Sequence, residues 1–212
     1  VTVNSGATLN LNDFSGTVGS IVGAGNITLG SGTLTTGNDN SSTTFSGIIS
    51  GTGALTKIGT GTLTLSGTNT YTGATTINAG TLSVSTLANG GAASNIGAST
   101  NAAANLVLNG GTLLYTGGAV STDRLFSVGT SDGTIDSSGT GTLTFTNTGS
   151  MGFNSQTAAR ILTLTGSNNG SLAVVIANST GATSLTKNGA GTWTLSGTNT
   201  YTGVTTINGG TL

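Results

Sequence analysis

The chain has 212 residues, 38 of them glycine, and contains no proline, cysteine or histidine. Only 4% of its residues are charged, where about 25% is usual, and the formal net charge is −1. Four cations (Lys57, Arg124, Arg160 and Lys187) cannot form a phosphate-binding patch, so nucleic acid is excluded as a partner, and the lack of cysteine excludes disulfides and thiolate metal sites.

The start, VTVNSGATLN, has no charged n-region and no apolar h-region. It does not read as a signal peptide but as mature sequence, cut from something larger. Polar and apolar residues then alternate over Thr8–Asn12, Thr62–Leu65, Thr76–Val84, Thr142–Thr146 and Leu162–Thr165. Period two sends Leu to one face of a strand and Thr to the other. These runs end at Gly, Asn or Ser, which supply turns. Residues 92–104 form the only Ala-rich patch, and their Gly, Ser and Asn predict a loop. No run approaches the roughly 20 apolar residues of a membrane-spanning helix. The chain is therefore predicted to be all-β.

One phrase occurs twice. Gly51–Leu82 aligns on Gly181–Leu212 without a gap, Lys57 on Lys187 and Tyr71 on Tyr201, with 24 identities in 32. Weaker echoes lie between them, GTLTFTN at Gly141–Asn147 and LNGGTLLY at Leu108–Tyr115. Recurrent segments suit coils that stack on copies of themselves. Hairpin-forming Asn-Gly pairs are too few to join so many strands antiparallel. These features predict one domain over residues 1–212, a right-handed parallel β-helix. At roughly 20–25 residues per coil it would have about nine or ten coils and, at about 4.8 Å each, a length of about 45 Å. Leu63 in one copy faces Trp193 in the other, so the coil there should widen or the position should sit near a corner. Lys57 and Lys187 are predicted to be solvated.

The segment GTGALTKIGTGTLTLSGTNTYTGATTINAGTL at Gly51–Leu82, with its copy ending at Leu212, resembles the passenger-associated transport repeat of bacterial autotransporters. STTFSGIISGTG at Ser42–Gly53 and VTVNSGATLNL at Val1–Leu11 resemble its surroundings. The resemblance implies a secreted passenger folded as a right-handed β-helix and displayed at the cell surface. It also implies a separate C-terminal β-barrel anchor in the outer membrane. It brings no catalytic residues with it.

Other candidates weigh little. Gly129–Gly133 (GTSDG) matches a nucleophile elbow, but the chain has no histidine base. Ser184–Lys187 (SLTK) matches an acyl-transfer motif, but Ala54 replaces the serine in the first copy. Asp123, Asp132 and Asp136, with Arg124 adjacent, could hold a hard cation as in a polysaccharide lyase; turn capping is the simpler role. Asn26, Asn40, Asn169 and Asn178 open N-x-S/T sequons, which matter only in a eukaryotic secretory host, and the resemblance argues against one. Thr-x-Thr pairs at Thr33/Thr35, Thr62/Thr64, Thr142/Thr144/Thr146, Thr163/Thr165 and Thr192/Thr194 would suit ice binding only if every coil carried one in register. The expected role is a structural or adhesive stalk with no catalytic, cofactor-binding or metal-binding residue. Its partners would be copies of itself, through unpaired terminal strand edges, or a host or neighbouring cell surface. A lyase-like enzyme and an ice binder are the alternatives.

Overall fold

The computed structural model describes residues 1–212 as a parallel β-solenoid. Twenty-three short strands of two to six residues run from Thr2–Val3 to Thr205–Ile207. Every strand pairing is parallel, and each joins residues about one coil apart in sequence. The one helical segment is a single 3₁₀ turn at Ala103–Asn105, at the end of the predicted loop.

The chain visits three faces in a constant order, although not every pass over a face forms a strand. Thr2–Val3 lies on a ten-stranded face, Thr8–Asn10 on a second and Gly16–Val18 on a six-stranded third; Val22–Gly23 then returns to the first. The second face holds three strands near the start and four later, from Val120–Thr122 to Trp193–Leu195. Ten passes on the widest face define about nine turns. Coil length is uneven: the coil from Thr62 to its partner Thr81 is short, and the next, from Thr81 to Thr112, is much longer.

Inside the solenoid the apolar half of each alternating run stacks coil upon coil. Leu63, Leu82, Leu113, Ile135 and Leu164 form one continuous row under the widest face. They belong to a single core of 33 buried residues. Burying each such side chain contributes about 1.5–3 kcal/mol. The ladder does not stop at strand ends: 65 of the 112 backbone–backbone hydrogen bonds lie in corners and loops. Corners stack because each backbone N–H there also needs an acceptor.

Two expectations change. Thr76–Val84 is not one strand but two, Thr75–Ile77 and Thr81–Val84, on different faces. Alternation survives the bend because the corner is compact, with Gly80 at φ 62°. Trp193 is fully buried at the very start of the strand Trp193–Leu195, just past the turn ending at Gly191, and the space for it is made in the preceding coil. Gly170 pairs with it in the preceding coil, and a Cβ at Gly170 would lie 2.5 Å from the indole. The missing side chain is the space the ring fills, and the indole Nε1 donates to the Thr165 carbonyl at 3.0 Å. The echo at Leu108–Tyr115 is the next coil: Leu106–Leu108 stacks on Thr75–Ile77, and Thr112–Tyr115 on Thr81–Val84.

Candidate functional site

The twice-written phrase builds a coil closure. In the first copy Leu55, Thr56 and Lys57 pair with Thr75, Thr76 and Ile77, one coil on. In the second, Leu185, Thr186 and Lys187 pair with Thr205, Thr206 and Ile207 in the same register. The corner between them is fixed by side chains. Asn69 Oδ1 accepts from the Ile49 amide at 2.8 Å, and Asn199 Oδ1 from the Ile176 amide at 2.8 Å. The Tyr71 hydroxyl bonds Thr75 Oγ1 at 2.7 Å, and Tyr201 bonds Thr205 Oγ1 at 2.8 Å.

The two copies do not share a face. Ala54–Lys57 and Thr75–Ile77 lie on the six-stranded face, with Thr62–Leu65 on the widest. Thr183–Lys187 and Thr205–Ile207 lie on the widest, with Trp193–Leu195 on the four-stranded one. The second copy is thus advanced by one face around the axis, because the intervening coils carry loops of unequal length.

Lys57 and Lys187 are buried, not solvated, at 1% and 0% exposure. Lys57 Nζ donates to the carbonyls of Ile58 (2.6 Å) and Gly59 (2.9 Å), with a longer contact to Ala79 (3.5 Å). Lys187 Nζ donates to Asn188 (2.5 Å), Gly189 (3.0 Å) and Gly209 (3.0 Å). Burial lowers the pKa of both, opposed at Lys57 by the charge of Asp39. The carbonyl cups favour the charged form, because a neutral amine would turn its lone pair towards one of the three oxygens. Strand alternation carried this signal: Lys57 has the parity of Leu55, and Lys187 that of Leu185.

The two arginines are also internal, at 1% and 2% exposure. Arg124 donates to the carbonyls of Ala88, Ala92, Gly97 and Ser99 and to the Ser99 hydroxyl. It holds the loop that lengthens the coil between Thr81 and Thr112. Arg160 binds the carbonyls of Val128, Phe153, Gln156 and Ala158 and stacks 4.9 Å over the Phe153 ring. Burial lowers both guanidinium pKa values.

The acidic residues do not converge. Asp123 Oδ1 accepts from the Gly90 amide at 2.7 Å, Asp132 Oδ1 from the Ile161 amide at 2.7 Å, and Asp136 Oδ1 from the Ser138 hydroxyl at 2.5 Å. No three carboxylates gather in one place, and the surface has no pocket. In the elbow-like stretch, Thr130 and Ser131 donate their amides to Gln156 and Asn109, and Asp132 sits at φ 70°. Ser184 and Lys187 lie on opposite sides of one strand.

The Thr-x-Thr pairs are spread over all three faces. Sequence spacing hid a different array. Thr62, Thr81, Thr112, Thr134, Thr163, Thr186 and Thr206 stand in register on seven successive coils of the widest face. The adjacent row is interrupted by Leu114 and Asp136.

The fold is a three-faced parallel solenoid whose coils are closed by side chains such as Asn69, Tyr71, Asn199 and Tyr201. Residues 55–84 and 185–212 match the family described as the passenger-associated transport repeat. These two matches overlap the segments that resembled the repeat, Gly51–Leu82 and Gly181–Leu212. It is 47% identical over 199 residues to the adhesin BmaC autotransporter of Brucella suis biovar 1 (strain 1330). That match covers 89% of this chain and about 6% of the length of the relative. No solved structure matches the chain.

Proposed function

We propose that the chain is a rigid, adhesive or spacing segment of a bacterial passenger displayed outside the cell. The observation that carries this reading is the unbroken parallel ladder through about nine turns, whose exterior is rich in Thr, Ser and Asn and nearly free of charge. The similarity to an adhesin autotransporter supports the same reading. The mechanism is mechanical. Each coil is hydrogen-bonded to the next along its length, so the segment resists bending and sets a distance. Loops held by Arg124 and Arg160 project from that support, where recognition residues are placed most often. The similarity to an adhesin also favours a non-enzymatic role. Outer-membrane display would use the β-barrel anchor that the family resemblance implies.

The test uses beads coated with the purified chain, presented to host cells and to bacteria. Binding that soluble chain competes away supports an adhesive segment. If the beads stay free, deleting residues 1–212 from the parent passenger should weaken adhesion without lowering surface display. Adhesion unchanged by the deletion, with no bead binding, would overturn both forms of the proposal.

A further inference from the structure

We propose that the corner turn of the repeat is a binding site for a primary ammonium ion, which the chain fills with its own lysine. The site occurs twice on different faces with the same construction. Two oxygens come from the turn that follows the lysine, at Ile58 and Gly59 or at Asn188 and Gly189. The third comes from the corner one coil later, at Ala79 or Gly209.

Three features define the ligand. All three acceptors are uncharged carbonyls, which suits a monovalent ion better than a divalent one. Three acceptors match the three N–H donors of R–NH₃⁺. The approach is a largely apolar sleeve: Lys57 lies between Thr36 and Ile77, and Lys187 between Leu164 and Ile207. A short alkyl chain fits that sleeve, and a hydrated metal ion does not.

The cup depends on backbone that glycine permits. Gly59 and Gly189 stand at φ 68° and 69°, and Gly80 and Gly210 at 62° and 66°. A Cβ on Gly210 would lie 2.8 Å from Lys187 Nζ. The cup is also reachable, since Asn188 is half-buried and Gly189 exposed. The third oxygen arrives only when the following coil is in place, so the bound cation joins consecutive coils at each repeat.

The experiment is chemical rescue in the full chain. Lys187→Ala and Lys57→Ala each keep a Cβ and leave space for n-propylammonium. Both variants should melt several degrees below the parent chain. Propylammonium chloride should raise their midpoints in proportion to the logarithm of its concentration, while tetramethylammonium chloride at equal ionic strength should not, because it has no N–H. The parent chain should respond equally to both salts. If a variant loses its β-type circular dichroism, propylammonium alone should restore it. Equal responses of the variants to the two salts, or no response to either, would overturn the proposal. Lys187→Met fills the sleeve with apolar atoms and should not be rescued; its rescue by propylammonium would show that the amine acts elsewhere and would also overturn it.

Discussion

At the scale of single residues, all four lysines and arginines point inward and solvate backbone carbonyls. The five aspartates lie at the surface or half-buried, and four of them accept backbone amides in turns. Removing a cation strands carbonyl oxygens that had a charged donor. A hydrogen bond to a charged group is worth about 1.5–3 kcal/mol. Lys57→Met is therefore expected to cost about 1–3 kcal/mol, the lower end reflecting turn carbonyls that water can reach, and urea unfolding measures it. Arg124→Met removes five hydrogen bonds from one loop. It should cost about 3 kcal/mol. Amide exchange should accelerate most at residues 88–101, ahead of the strands; uniform acceleration along the chain would contradict the local role.

At the scale of elements, the repeat is a closed coil with its own ladder, which is why it works at either position around the axis. Its variable position shows how the coil tolerates change. Leu63 lies between Thr43 of the preceding coil and Leu82 of the next, while Trp193 fills the space beside Gly170 of the preceding coil. Gly170→Ala should destabilise the chain by about 1–3 kcal/mol through overpacking. Adding Trp193→Leu should recover most of that loss, since the smaller side chain is the one the other copy uses. A double-mutant cycle measures the coupling, and additive effects would refute the steric explanation.

At the scale of the whole molecule, stability should depend on alkaline pH. Burial raises the pKa of Tyr71, against the opposing hydrogen bond to Thr75, and burial raises that of Tyr115. In the unfolded chain both ionise near pH 10. Above that pH the unfolded state has lost protons that the folded state keeps, so stability falls as pH rises. The lysines act in the opposite sense. Their folded pKa values are depressed, so stability rises with pH up to about 10.5, where the unfolded lysines also lose their protons. The chain should be most resistant to urea near pH 10 and weaken above it. Tyr115→Phe should flatten the alkaline fall, and an unchanged slope in that variant would show that Tyr115 does not drive it.

The sequence by itself determined the class of fold and the inside and outside of most strands. Alternation of Leu with Thr depends only on the pleat, and the repeated phrase declared a stacked unit. It also contained the burial of Lys57 and Lys187, in the parity they share with Leu55 and Leu185, although four apolar CH₂ groups tipped by a charge usually end in water. Tertiary structure alone decided the rest. Which coil faces which depends on loops of unequal length, so two copies that align without a gap still stand one face apart around the axis. The column from Thr62 to Thr206 exists only once those loops are folded away. The physical reason is the same in both cases: the period of a strand is local, while the register of a solenoid accumulates every insertion before it.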